Sequence, residues 1–135
     1  MQILKLAPEN RPTYSTLSTL EKTRTIILWL TEKRANQLVA FDLSQEHTLT
    51  EAAVIVNATS ARHAQGLADF VLESCKKFKF EILRTEGYQV AQWILLDLND
   101  IVVHIFQPEA RLLYRLEDLW PSAEIVADQR NEELP

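Results

Sequence analysis

The 135-residue chain predicts an α/β fold, a single domain with a five-stranded mixed sheet and helices packed on it. Three observations carry that expectation. Residues 38–43 and 52–56 are near-continuously apolar, as strands covered on both faces tend to be. Between residues 60 and 78, apolar residues recur at helical spacing. Finally, two apolar segments, 93–97 and 101–106, flank Leu98-Asn99-Asp100, a hairpin pattern because Asn and Asp tolerate the positive φ of tight turns.

Taken in order, residues 1–14 carry two prolines and little periodicity and read as a flexible arm. Ser18-Thr19-Leu20-Glu21 has the form of a capping box, in which both side chains satisfy free backbone N–H groups. A helix to about residue 34 follows, with Leu17, Leu20, Ile27 and Leu30 towards one face. Gln45-Glu46-His47 bridges the two apolar strands. In the second helix Ala64, Leu67, Ala68, Val71, Leu72, Cys75 and Phe78 form the stripe, with Gln65, Glu73, Lys76 and Lys77 mostly opposite. Thr59 or Ser60 can cap it.

A short strand over 80–84 leads to Glu86-Gly87, and the hairpin comes next. Pro108 suits the first turn of a last helix with apolar positions Leu112, Leu113, Leu116, Leu119 and Trp120, ended by Pro121. The segment 123–135 reads as an acidic, disordered tail. The order α-β-β-α-β-β-β-α is compatible with a nucleotidyltransferase-like topology.

Composition narrows the function. Hydrophobic content of 47% and charged content of 24% are those of a globular protein, and nothing approaches a membrane span. The start lacks a basic head followed by an apolar core, which argues against secretion. Its hydroxyl-rich stretch would suit an organellar transit peptide, but Glu9 and Glu21 are interspersed with the basic residues. Cys75 is the single cysteine, so no intramolecular disulfide can form, which fits a reducing compartment. One Cys and three scattered His make no zinc site. A net charge of −5 argues against direct nucleic-acid readout, which depends on neutralising phosphates, and favours a basic protein as partner.

Three constellations could carry chemistry. Asp97 and Asp100 could hold Mg²⁺ for nucleotidyl transfer. However, the position two along the strand from Asp97 is Asn99, and with just two glycines there is no phosphate-cradling loop. The hairpin accounts for the segment better. Ser60, Arg62, His63 and Asp69 invite a hydrolase, yet Ser60 stands where a cap belongs and no nucleophile-elbow pattern is present. His104, in a strand with Val102 and Phe106 on its face, reads as a hydrogen-bonded, partly buried residue, and Cys75 as an inert core thiol. Trp93, Arg111 and Tyr114 are of the types that dominate binding energy at interfaces, although Trp93 and Tyr114 could equally complete the core.

The ordered series Asn57-Ala58-Thr59-Ser60-Ala61-Arg62-His63, Ala68-Asp69, Glu86-Gly87, Trp93, Asp97-Leu98-Asn99-Asp100, Val103-His104, Arg111-Leu112-Leu113-Tyr114 and Leu116-Glu117-Asp118-Leu119-Trp120 resembles the ribosomal silencing factor (Iojap-like) family. The resemblance covers about residues 17–122 and defines a silencing factor domain over 15–122. Asn99 stands where the family usually has Gly, and Ala58-Thr59 and Thr50-Glu51 replace its usual Thr-Gly and Thr-Asp.

The resemblance implies a cytoplasmic translation repressor with no catalytic site and no cofactor. Such a factor binds the large ribosomal subunit through the ribosomal protein called L-fourteen and sterically prevents joining with the small subunit when nutrients are scarce. Carried over residue by residue, it implies partner contact by Trp93, Glu86, Asp97, Asp100, Arg111 and Tyr114, with Gly87 and His104 as further motif positions. A large-subunit assembly factor using the same surface is the alternative, and a metal-dependent nucleotidyltransferase a third reading. An apolar patch around Trp93 could pair two copies off the ribosome.

Overall fold

A computed structural model describes residues 13–131. Its elements are α1 (Thr19–Glu32), β1 (Asn36–Asp42), β2 (Ala52–Asn57), α2 (Ala61–Phe78), β3 (Arg84–Glu86), β4 (Trp93–Asp97), β5 (Ile101–Phe106), α3 (Pro108–Tyr114), a 3-10 turn (Leu116–Leu119) and β6 (Glu124–Asp128). The expected mixed sheet forms, in the order β3-β4-β5-β2-β1-β6. Only β2 and β5 run parallel; every other neighbouring pair is antiparallel.

The sheet has six strands, not five. The extra one, β6, lies within the segment expected to be a disordered tail and pairs antiparallel with the outer edge of β1. Val126 and Ala127 pack against the core there, while acidic Glu124 and Asp128 bracket the strand. Without β6, the ladder groups of β1 would face solvent along a strand carrying Val39 and Phe41. The rest of that tail (132–135) and most of the expected arm lie outside the described residues.

Both long helices lie on one face. Ile26, Ile27, Trp29 and Leu30 of α1 and Ala64, Leu67, Ala68, Val71 and Cys75 of α2 form one cluster with Leu38, Ala40, Val54, Val56, Ile94, Leu96, Val103 and Ile105 of the sheet. Leu17 and Leu20, expected on that face, are exposed instead; Thr23 and Ile26 take the positions. Both serine caps form, Ser18 accepting from the Glu21 N–H at 3.2 Å and Ser60 from the His63 N–H at 3.0 Å, but the Glu21 side chain does not complete the expected capping box. Burial pushes the Cys75 thiol up to about 12, which leaves it protonated and unreactive. Among the described residues no helix is long and apolar enough to cross a membrane.

The opposite face carries a smaller cluster of Val39, Phe41, Leu43, Ala53, Ile55, Phe106 and Ala110, with Trp93, Leu116 and Trp120 half-buried against it. The last helix is shorter than expected, because Arg115 adopts a left-handed conformation (φ 47°) and the chain continues as a 3-10 turn. Leu119 lies beyond that break, while Leu112 and Leu113 lie within α3 on the side away from its buried Ala110 and Arg111, and all three leucines are exposed. The third strand begins later than expected, since Phe80 turns into the core before any ladder forms.

Gly87 makes the turn from β3 to β4. Its φ is +80°, and a Cβ there would stand 2.1 Å from the Trp93 carbonyl oxygen. Gly87→Ala should therefore lower the unfolding free energy by about 2–4 kcal/mol, combining left-handed strain with overpacking. Urea denaturation monitored by circular dichroism measures this directly.

Candidate partner-binding face

The cross-strand register assembles the site. Residues directly opposite in an antiparallel pair share a face. Glu86 pairs with Leu95 and Leu95 with His104; Arg84 pairs with Asp97 and Asp97 with Val102; Trp93 pairs with Phe106. These rows lie on the side away from α1 and α2, at the end of the sheet that α3 only partly covers.

Trp93 is the centre of this surface. Its ring stacks on Phe106 with centroids 4.9 Å apart, and Tyr114 of α3 leans against it at 5.0 Å. Its indole Nε1–H donates to His104 Nδ1 at 3.1 Å. That bond requires His104 to be neutral with its proton on Nε2. Burial agrees, pulling the imidazole down to about 4. Trp93 is half-buried, so it both closes the second core and faces outward.

The rim at β3 is charged. Arg84 Nε lies 3.2 Å from Glu86 Oε2 and 3.5 Å from Asp97 Oδ2, placing two carboxylates around one guanidinium. On the other flank stands Tyr114, exposed by 56%; elsewhere on α3 and the 3-10 turn, Leu112, Leu113 and Leu119 are exposed by 77%, 74% and 65%. The leucines were expected in the core, but α3 turns Ala110 and Arg111 inward instead. Gln107 was also missed. Its side chain donates to the Ala91 carbonyl at 2.8 Å and its backbone N–H to that of Gln92 at 2.9 Å, tying the start of α3 to the turn before Trp93.

Two residues expected to contact a partner are engaged internally. Asp100 accepts from Thr19 Oγ1 at 2.6 Å and is bridged by Lys22 Nζ at 2.8 Å, fastening α1 to the hairpin on the helix-covered side. Arg111 is buried: Nε donates to Glu117 Oε2 at 3.0 Å, and Nη1 donates to the Gln37 carbonyl and to Asn57 Oδ1. Arginines usually sit at the surface, and nothing in the local sequence marks this one as buried.

The remaining motif residues have structural surroundings away from this face. His63 accepts at Nδ1 from the Thr59 N–H at 2.9 Å, and its Nε2 meets the Lys33 carbonyl at 2.9 Å, joining the ends of α1 and α2. Asp69 accepts from the Tyr88 hydroxyl at 3.0 Å, and Arg62 is exposed. Asn99 adopts φ 78° in the hairpin, as expected, and its N–H donates to Asp97 Oδ1 at 3.0 Å.

The depressed His104 value fixes a pH dependence. An unfolded chain protonates this histidine near 6.5, the folded chain only near 4. Its contribution to stability is thus complete above the unfolded value and is lost as pH falls towards 4, to an extent on the order of 3 kcal/mol. Denaturant midpoints should fall between pH 6.5 and 4.5, and His104→Gln should show a shallower fall across the same window while being less stable at pH 7.5.

Comparisons with known proteins agree with the sequence. Residues 16–135 match the family profile described as ribosomal silencing factor during starvation. The chain is 38% identical over 87 residues to the ribosomal silencing factor RsfS of Haemophilus influenzae, covering 64% of this chain and 85% of that one. It is 26% identical over 98 residues to a Mus musculus protein named mitochondrial assembly of ribosomal large subunit protein 1, covering 70% of this chain and 43% of that one. A crystal structure of a Chromobacterium violaceum protein superposes with a TM-score of 0.75 at 27% identity, covering 77% of this chain and 87% of that one. By sequence and by fold, this chain belongs to the ribosomal silencing factor family.

Proposed function

We propose that the protein is a translation repressor that binds the large ribosomal subunit through protein L-fourteen and sterically blocks joining with the small subunit under nutrient limitation. The observation that supports this most is the half-buried Trp93 at the centre of a sheet face that no long helix covers. An aromatic anchor with an exposed tyrosine beside it and a charged rim is the composition of a protein–protein contact. Glu86 and Asp97 at the rim, on a chain of net charge −5, suit a basic partner, with charge steering the encounter and Trp93 and Tyr114 holding it. An interface of ordinary size, about 1,200–2,000 Å² in total, suffices for steric exclusion.

Arg111 serves this surface by fixing α3 rather than by touching the partner, and Asp100 by fixing the hairpin. Such a role needs no catalysis and places the protein in the cytoplasm. Off the ribosome, the apolar patch around Trp93 can pair two copies.

A second reading, a large-subunit assembly factor using the same face, is favoured by the name of the mouse relative. The nucleotidyltransferase-like reading has less support. Asp97 belongs to the open face while Asp100 is committed to Thr19 and Lys22, so the two carboxylates do not form a common pair.

Cosedimentation with isolated subunits tests the proposal. The protein should pellet with the large subunit alone and suppress joining. Trp93→Ala should weaken that binding by about 30-fold or more while unfolding remains cooperative. Binding unchanged in Trp93→Ala would remove this residue as the anchor. Normal joining by mature subunits, with immature particles accumulating on deletion, would favour the assembly reading.

A further inference from the structure

Charge is divided unevenly between the two sides of the sheet. The two long helices with their ends, residues 19–34 and 61–79, carry eight basic and four acidic side chains. The other described residues carry four basic and twelve acidic ones. Those four, Arg84, Arg111, Arg115 and Arg130, each pair with a carboxylate. On the helical layer, among the described residues, Lys22 alone does so, to Asp100. A net charge of −5 therefore conceals a basic surface on the face opposite Trp93.

Packing gathers these charges into two clusters. α1 and α2 run antiparallel. At one end the Lys33 carbonyl meets His63 Nε2 at 2.9 Å; at the other the Ser15 N–H, just before α1, donates to the Lys79 carbonyl at 2.8 Å. Lys33, Arg34 and Arg62 therefore come to the first end and Lys76, Lys77 and Lys79 to the second, all six exposed. Their acidic neighbours in sequence, Glu32 and Glu73, form no salt bridge with them among the described residues. Asp69 is occupied by the Tyr88 hydroxyl. Lys33 and Lys77 rest instead over the Phe70 and Phe78 rings, at 4.6 and 5.8 Å. The helix dipole accounts for Lys76 and Lys77 in the last turn of α2. Arg62 in its first turn, where no acidic residue stands, runs against that preference. Like charges held together without counter-charges raise the local potential and attract a polyanion.

The separation of the clusters selects the partner. Arg62 and Lys77 are fifteen residues apart along α2, about 22 Å at 1.5 Å per residue, so no small anion spans both. A nucleic-acid backbone does, with a phosphate at every nucleotide. A lipid surface is disfavoured, because α1 and α2 already bury their apolar faces against the sheet and leave none to insert. We propose that the outer surface of α1 and α2 contacts the phosphate backbone of folded ribosomal RNA, through Lys33, Arg34 and Arg62 at one end and Lys76, Lys77 and Lys79 at the other. The choice of RNA rests on the ribosome-binding reading, to which it adds a second contact on the opposite side from Trp93. Such contacts position a protein without reading bases, and the acidic remainder of the chain keeps them weak on their own. Joined to the Trp93 contact in one molecule, they still add to affinity.

Fluorescence anisotropy of labelled, protein-free large-subunit RNA, titrated with the intact chain at several salt concentrations, tests this contact apart from the Trp93 face. Phosphatidylserine vesicles and polyglutamate serve as comparators. Binding should be measurable at about 50 mM salt and weaken as salt rises. Lys33→Gln/Arg34→Gln/Arg62→Gln and Lys76→Gln/Lys77→Gln/Lys79→Gln should each weaken it at least about fivefold. Each should also make the plot of log K against log salt shallower by about 1 or more. Because all six positions are exposed, the thermal unfolding of these variants should match the parent's. Lys76→Arg/Lys77→Arg/Lys79→Arg, which keeps the charge, should bind RNA like the parent, and so should Trp93→Ala. No RNA binding by about 100 μM protein at about 50 mM salt would overturn the proposal. So would an unchanged salt slope in either glutamine variant, loss of binding in the arginine variant or in Trp93→Ala, or equal binding of polyglutamate or of the vesicles. Because the probe contains no ribosomal protein, such a failure would leave the Trp93 reading standing, and subunit binding unaffected by Trp93→Ala would leave this one standing.

Discussion

A single buried guanidinium fastens the less protected side of this molecule. Taking an arginine out of water costs several kcal/mol unless its donors are matched, and burial draws the Arg111 pKa below the ordinary arginine value while Glu117 pushes it back. The matching acceptors come from three places: the end of β2 at Asn57, the 3-10 turn at Glu117, and the start of β1 at Gln37. The Gln37 carbonyl is available because β1 is irregular there, with a register shift between Asn36 and Val39 and Gln37 itself at φ 52°. The bulge and the arginine therefore explain one another. Through them the seven-residue α3, too short to be stable alone, is held against the sheet.

What α3 does from that position follows from the uneven layering. With α1 and α2 both on one face, the other face has a single short helix and a 3-10 turn for cover. The cover reaches as far as Tyr114 on Trp93 and then stops. Trp93 thus has neighbours on one side and solvent on the other, and its hydrogen bond to His104 fixes the indole orientation before any partner arrives. Side chains already ordered lose little entropy on binding, which is how a small surface can hold a partner well.

Much of this was legible in the sequence. The Ser60 cap, the α2 stripe and the Asn99 hairpin depend on local chemistry, and each formed where its residues predicted. What stayed hidden depended on partners distant in sequence. The three apolar residues of β6 sit between acidic residues and become a strand only because β1 offers an edge. Arg115 breaks the last helix without the glycine that would announce it, so Leu119 beyond it looked like core. Asp100 and Arg111 carry charges that read as surface features, and only the fold reveals Lys22 and Glu117 waiting for them.

The position of β6 also bears on how the molecule is made. The register joins Val39 to Asp128 and Phe41 to Ile125, so β1 receives its second neighbour from a strand that follows every other described element. On a translating ribosome the chain emerges from its N-terminus, and β1 must wait through the synthesis of every intervening element with one edge unpaired. Such edges recruit strands from other chains. The acidic residues bracketing β6 cannot shield β1 during that interval, because they arrive with the strand that closes it. The nascent chain therefore carries this open edge until β6 emerges, and the β1–β6 pairing is the step that closes it.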